Sequence, residues 1–110
     1  MKSLNNIQRI LFTEYQKNGY LSMWTNNYSN KNPHQGIFDI AELGLICTEV
    51  SEAIEEIRKP TNENALFLEC SDIIIRTLNF MTRKGANAEY FIKMKHKENL
   101  LRGKLHGKQI

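Results

Sequence analysis

The sequence predicts a single all-α domain built from four helices. Apolar residues recur at intervals of three and four in four separate segments, which is the spacing of one face of an α-helix. No segment shows the strict alternation of polar and apolar residues that a half-buried strand requires. A chain of 110 residues has room for one small domain, so we expect residues 1–110 to fold as one unit.

The first helix is expected over residues 3–18. Its apolar stripe consists of Leu4, Ile7, Leu11 and Tyr15. Ser3 is a suitable N-cap, and Gly19 is a suitable terminator because glycine adopts the left-handed conformation found at helix C-termini.

The segment that follows, residues 20–35, is rich in asparagine and predicts turns and irregular structure. Its large aromatic residues include Trp24 and Tyr28. We interpret them as lids on a small core, with stacking on a nucleobase as the less favoured alternative.

The second helix is expected over residues 37–58 and is stopped by Pro60. At about 100° per residue, an arc of roughly 80° holds four acids, namely Glu42, Glu49, Glu52 and Glu56. Glu55 falls outside this arc and is expected to face solvent. Alone, such an acidic stripe is typical of a solvated surface, but the next helix changes the interpretation.

The third helix is expected over residues 62–83, capped by Thr61 or Asn62 and ended by Lys84 and Gly85. Its polar face consists of Glu69, Asp72, Arg76 and Asn79. Most of its remaining surface is apolar because three isoleucines follow one another in its middle. A helix that is apolar on several sides needs several partners, and in so short a chain we expect some of them in another subunit.

The fourth helix is expected to begin near Asn87 and to run toward Leu101. Lys95, Asn99 and Arg102 lie at spacings of four and three and therefore share one face. The tail, residues 103–110, contains two glycines and no period, and a loop is predicted there.

The second and third helices each present a pair of carboxylates three residues apart. The pairs are Glu49 with Glu52 and Glu69 with Asp72. A tight turn would lay the two helices antiparallel and allow the pairs to converge. Four facing carboxylates repel one another, so we expect a cation among them, and oxygen ligands favour Mg²⁺, with Mn²⁺ as the alternative. A di-iron centre is excluded because none of the three histidines follows a glutamate by three residues.

Composition narrows the class of protein. The chain is 41% hydrophobic and 25% charged, as expected of a globular domain. No stretch approaches the roughly 20 apolar residues that cross a membrane, and the first residues lack the features of a signal peptide. Cys47 and Cys70 lie inside predicted helices and are expected to be buried free thiols in a reducing compartment. We therefore expect a cytoplasmic protein.

The net charge of +3 is unevenly distributed. Residues 1–92 contain nine Lys or Arg and eleven Asp or Glu, whereas residues 93–110 contain six basic residues and one acid. The basic segment suits a phosphate-bearing substrate placed beside a metal. A nucleic-acid adaptor is disfavoured because no aromatic residues interleave with these basic ones.

The spacing Glu-x-x-Glu, 16 residues, Glu-x-x-Asp resembles that of the MazG-like all-α nucleoside triphosphate pyrophosphohydrolases. The segments LGLICTEVSEAIEEIRK and LECSDIIIRTLNF are similar to the two central helices of the family. The segment KHKENLLRGKLHGKQI is similar to its C-terminal Lys, Asn-x-x-Arg, His-Gly-Lys pattern, although Gly103 stands where many relatives have proline. The resemblance covers roughly the last two-thirds of the chain.

The resemblance implies a bundle completed by oligomerisation, as a homodimer or homotetramer, that hydrolyses a nucleoside triphosphate to the monophosphate and pyrophosphate. It implies that the Mg²⁺ ligands are Glu49, Glu52, Glu69 and Asp72. It also implies that the substrate contacts are Lys95, Asn99 and Arg102. Residues 20–36 match nothing in the family and are expected to help select the base.

We expect a water molecule, oriented by Glu52 as general base, to attack the α-phosphorus. Arg76 and Asn79 are interpreted as groups that support the metal ligands, and a salt bridge is the commoner role for an arginine such as Arg76. The alternative function is a non-catalytic regulatory protein that binds nucleotide and metal on the same bundle.

Overall fold

The computed structural model describes residues 3–17, 35–59 and 62–106, and these residues form four α-helices without a strand. The helices are α1 (Leu4–Lys17), α2 (Gln35–Arg58), α3 (Glu63–Arg83) and α4 (Ala88–His106). The all-α fold class is therefore confirmed for the described chain. The expectations for Gly19, Trp24, Tyr28, Pro60 and Thr61 lie outside the described residues.

Helix α3 is the centre of the arrangement. It packs along α2 most extensively, supports α1 on another side, and contacts α4 near the turn that joins them. Ion pairs show that α2 and α3 are antiparallel, because Glu42 pairs with Arg83 whereas Glu49, further along α2, pairs with the earlier Arg76. This pairing brings the acidic faces of the two helices together.

The ends of α3 follow the chemistry expected from the sequence. The Asn62 side chain accepts a hydrogen bond from the amide of Ala65 at 3.4 Å and caps the first turn. At the other end, Gly85 adopts a φ of +80°, the left-handed conformation that only glycine reaches without strain. The side chain of Asn87 then accepts from the amide of Tyr90 at 3.0 Å and begins α4.

A buried glutamine joins α1 to this turn. The Gln8 amide nitrogen donates to Thr82 Oγ1 at 2.7 Å and to the carbonyl of Ala86 at 2.9 Å. Its oxygen accepts from the amide of Ala88 at 3.0 Å. All three contacts are internal, and Gln8 is only 6% exposed. The side chain thus satisfies backbone groups that α1 would otherwise bury unpaired.

The described part of the chain encloses a small apolar core. Among the described residues, the buried apolar side chains are Ala53, Leu78 and Ala88. Most large apolar residues of α2 and α4 remain exposed. The expectation that Cys47 and Cys70 are buried is wrong: both are free but exposed, because they lie on helix faces that no other part of the described chain covers.

One exposed face of α2 has the spacing of a coiled coil. Its residues alternate at intervals of three and four, and we call them the α2 seam: Ile40, Leu43, Cys47, Val50, Ile54 and Ile57. Beside the seam stand Gly44 and Ser51, both exposed, and nothing lies within 4 Å of a Cβ built at Gly44. Small residues there would allow another helix to approach closely.

The loop predicted from residue 103 is wrong as far as residue 106, because α4 continues through Gly103. One glycine costs a helix only about 1 kcal/mol, which is too little to end it. In the isoleucine run, Ile73 and Ile75 are half-buried while Ile74 is 58% exposed, so the run is not enclosed within one protomer.

None of the described helices combines the length and apolarity needed to cross a membrane.

Candidate metal centre

Three carboxylates converge where α2 and α3 pack together. Oxygen atoms of Glu49, Glu69 and Asp72 lie within 4.8 Å of one another. Glu49 is buried, Glu69 is half-buried and Asp72 is exposed, so the cluster opens from the helix interface to solvent. The antiparallel pairing and the three-residue spacing on each helix produce this arrangement directly.

The fourth acid, Glu52, joins the cluster through Glu69. Burial raises the pKa of Glu69, and the carboxylate of Glu52, which shares a hydrogen bond with it, raises it further, followed by Glu49 and Asp72. The structure thus brings all four predicted acids together. In addition, the buried Oε2 of Glu69 has no hydrogen-bonding partner within the described chain.

This donor set fits a hard divalent cation. Within the described chain, the base that contacts these four acids is Arg76, whose Nε donates to Glu49 Oε1 at 3.0 Å. One guanidinium leaves the remaining carboxylates of the cluster in mutual repulsion. Oxygen-only ligands, an unpartnered oxygen and excess negative charge are what Mg²⁺ or Mn²⁺ would satisfy.

A second ion-pair network lies at the opposite end of the α2–α3 pair. Arg83, whose side chain is 3% exposed, donates to Glu42 through Nε and to Asp39 through Nη2, the latter at 2.8 Å. Lys84 also donates to Asp39, at 2.7 Å. Burial opposes ionisation of Asp39, but hydrogen bonds from Lys84 and Arg83 outweigh it and lower its pKa. For Glu42, burial outweighs the attraction of Arg83 and raises the pKa.

Between the two networks lies a cavity of about 260 Å³ beside the acid cluster. Its lining residues are Tyr15, Asp72, Ile75, Arg76 and Asn79. A smaller void of about 30 Å³ adjoins it and shares Tyr15, Arg76 and Asn79 with it. Asn79 is 8% exposed, and its Oδ1 is buried without a hydrogen-bonding partner in the described chain.

Tyr15 was predicted only as part of an apolar stripe, yet it belongs to this cavity. Burial raises the pKa of its hydroxyl group, and the nearby Glu42 raises it further. The sequence did contain an indication of this position. Tyr15 ends the apolar stripe with a hydroxyl group, and buried tyrosine hydroxyls usually have polar surroundings.

The predicted substrate contacts on α4 are placed differently. Lys95, Asn99 and Arg102 are all exposed. Glu98 pairs with Lys95 at 3.1 Å and with Arg102 at 3.4 Å, and hydrogen bonding from Lys95 is the main reason that the pKa of Glu98 is lowered. The groups that shift the pKa of Glu69 are, by contrast, all acids. Thus the acids of α2 and α3 lie together, whereas the basic residues of α4 pair with Glu98 on their own helix.

The raised pKa of Glu69 predicts how the acid cluster affects stability. Because the folded state holds this proton more tightly than the unfolded chain, stability falls as the pH rises through the folded-state pKa. Glu69→Gln removes this titration. In the presence of a chelator, the variant should melt at a higher temperature than the wild type near pH 8. The difference in melting temperature should shrink as the pH falls toward 4.5, the ordinary pKa of a glutamic acid side chain. Thermal unfolding at several pH values, with the exposed Glu14→Gln as control, tests this. A variant that melts lower throughout would contradict it.

No protein-family model, no curated protein and no solved structure matches this chain. The assignment of the site therefore rests on its own residues.

Proposed function

We propose that this protein is a Mg²⁺-dependent nucleoside triphosphate pyrophosphohydrolase of the MazG-like type. The observation that carries the proposal is the carboxylate cluster, in which three acids meet within 4.8 Å and a buried oxygen of Glu69 has no partner in the described chain. Such a cluster has no evident structural use, because its charges repel one another in the absence of a cation.

Each acid has a distinct part in the proposal. Glu49, Glu69 and Asp72 would hold the cation, with Arg76 fixing the orientation of Glu49 through its 3.0 Å hydrogen bond. When bound, Mg²⁺ would supply the positive charge that binds a triphosphate and makes its α-phosphorus open to attack. Mn²⁺ would serve the same purpose.

Glu52 is the candidate general base. Its carboxylate shares a hydrogen bond with Glu69 of the cluster. Glu52 is itself exposed, so water can reach it. A carboxylate in that position could orient a water molecule and accept its proton as the water attacks phosphorus. The pyrophosphate that leaves would need positive charge and hydrogen-bond donors, for which Lys95, Asn99 and Arg102 remain the candidates.

A pyrophosphate-release screen over all common ribo- and deoxyribonucleoside triphosphates tests the function. We expect Mg²⁺-dependent release from at least one of them, abolished by chelator and accompanied by the monophosphate. Binding of nucleotide and metal without release would instead support the non-catalytic regulatory protein. Release of orthophosphate alone would assign a different hydrolase activity.

We further propose that the active form is an oligomer, and that the α2 seam binds a second copy of the chain. No part of the described chain covers the seam, and its end residues Ile40 and Ile57 are 71% and 69% exposed. Its alternating spacing is suited to a like helix, since knobs of one copy fit holes of the other. Burial of this face would also enlarge the small apolar core that the described residues form.

A charge placed in the seam should dissociate the oligomer. Val50→Lys puts an unpaired ammonium group into the contact, and burying such a charge costs several kcal/mol, equivalent to a Kd on the order of a hundredfold weaker or more. Leu45→Lys is the matched control, because Leu45 is similarly exposed (44% against 41%) but lies on another side of α2. Sedimentation velocity at micromolar concentration measures the result. A monomeric wild type would refute the assembly, and a Val50→Lys variant that assembles normally would exclude the seam.

The basic face of α4 provides a kinetic prediction. If Arg102 contacts a phosphate group, Arg102→Ala should lower kcat/KM about ten- to a hundredfold, because charge-assisted contacts contribute roughly 1.5–3 kcal/mol. If Arg102 serves only its surface pair with Glu98, the change should be slight. Lys97→Ala, also exposed on α4, is the control. Equal and near-normal kcat/KM for both variants would show that the basic residues of α4 only keep the helix solvated and do not contact the substrate.

A further inference from the structure

A buried amide faces the cavity beside the acid cluster without a partner in the described chain. Asn79 is 8% exposed, lines both the 260 Å³ cavity and the smaller void, and leaves its Oδ1 buried without a hydrogen bond. A buried acceptor of this kind costs a protein free energy unless something donates to it. Its position therefore suggests a ligand that brings an N–H group.

The rest of the lining has the character of a site for a small planar ring. Tyr15 contributes an aromatic side chain and Ile75 an aliphatic one. The polar groups of the lining come from Asp72, Arg76 and Asn79. Small-molecule sites commonly combine apolar walls with a few fixed polar groups that set orientation. An aromatic ring can also stack on a base, whichever base it is.

The cavity also lies close enough to the acid cluster for one nucleotide to reach both. Asp72 belongs both to the cavity lining and to the carboxylate cluster. Asn79 follows it by seven residues on α3, which is two helical turns or roughly 10 Å along the axis. A nucleotide carries its phosphates and its base at opposite ends of a sugar, so it can engage both positions at once.

We infer that this cavity binds the nucleobase of the substrate and that Asn79 is a specificity-determining residue, its Oδ1 accepting a hydrogen bond from an N–H of the base. The inference rests on the proposed function for the identity of the ligand as a nucleotide. It assigns Asn79 to the substrate, whereas the sequence suggested a role in supporting the metal ligands.

Base recognition predicts opposite effects on stability and affinity. Leucine has the branching of asparagine without its polar atoms, so Asn79→Leu should remove the unpaired acceptor and leave the ligand-free protein as stable as the wild type or more stable. The same change leaves an N–H of a bound base unpaired. Affinity for the preferred nucleotide should then fall about ten- to a hundredfold.

The experiment uses ligands with and without a base. Binding of the common nucleoside 5′-monophosphates is measured by NMR in the presence of EDTA, which removes metal from the readout. Binding of nucleoside triphosphates and of inorganic tripolyphosphate is then compared in Mg²⁺. Asn79→Leu should lower affinity for nucleotides relative to tripolyphosphate, whereas Asn64→Leu, exposed in the first turn of α3, should preserve the wild-type ratio. Asn79→Ala serves as the second variant if the leucine variant does not fold.

Three results would overturn the inference. In one, Asn79→Leu and Asn79→Ala destabilise the ligand-free protein and leave the ratio unchanged, as expected if Oδ1 is satisfied by a water in the 30 Å³ void. In another, tripolyphosphate loses as much affinity as the nucleotides, so that Asn79 acts on the metal site. In the third, no monophosphate binds. Normal base discrimination without pyrophosphate release would preserve the inference and refute only the catalytic proposal.

Discussion

Glu49→Gln and Asp72→Asn should each remove most of the Mg²⁺-dependent hydrolysis while leaving the four helices intact. Each change keeps the size of the side chain and deletes one ligand charge from a cluster in which the acid oxygens stand within 4.8 Å. Even groups that only orient ligands contribute ten- to a hundredfold to metal affinity or activity, so a direct ligand should contribute on the order of a hundredfold or more.

The control for these variants is Glu55→Gln. Glu55 lies on the same helix as Glu49 but is exposed and pairs with Arg58 at 2.9 Å, away from the cluster. Its variant should keep normal turnover and the normal rise of Tm on addition of Mg²⁺, which ligand binding to the folded state produces. Undiminished turnover and an undiminished Mg²⁺-induced rise in both ligand variants would reject the metal assignment.

The largest loss of stability is expected from Arg83→Met. The Arg83 side chain is 3% exposed and holds Asp39 and Glu42, with Phe80 beneath it at 5.6 Å from the ring centroid. Methionine retains much of the volume but leaves two shielded acids without this partner. Breaking a buried ion pair in this way costs about 3–5 kcal/mol. That is a large part of the roughly 5–15 kcal/mol that holds a domain folded.

Urea unfolding of Arg83→Met near neutral pH gives this difference. Arg58→Met is the control, because its exposed pair with Glu55 should contribute under about 1 kcal/mol. The pH dependence supplies a second check. The lowered pKa of Asp39 stabilises the wild type above the unfolded-state pKa, and this contribution is lost as the pH falls through the folded-state pKa. The gap between wild type and variant should therefore narrow in acid. A gap below about 1 kcal/mol at neutral pH would contradict the structural role.

Local signals in the sequence were sufficient for the helices and for the acid cluster. The cap at Asn62 and the left-handed Gly85 are determined by their immediate neighbours, and the structure has both. The acids Glu49 and Asp72 were located because a spacing of three fixes a face and one short turn fixes the pairing of two helices.

Features that depend on longer-range packing were missed. The pair of Arg83 with Asp39 joins residues 44 positions apart, and its register appears only once α2 and α3 are docked. The cysteines were expected to be buried because they lie inside apolar helical segments, but no part of the described chain covers the helix faces that carry them. The heptad spacing of the α2 seam is present in the sequence, but we interpreted only the acidic residues of the same helix, among them Glu42 and Glu49.

The Gln8 contacts have a consequence for the order in which the chain folds. They join residues separated by 74 to 80 positions, so they are among the most distant contacts in the sequence. Closing so long a loop before other contacts exist is entropically costly, whereas α2 and α3 can pair across a short turn. We therefore expect the α2–α3 hairpin to form early and α1 to dock last. On a ribosome, docking of α1 would have to wait until Ala88 has left the exit tunnel, and until then the apolar stripe of α1 stays open to other partners.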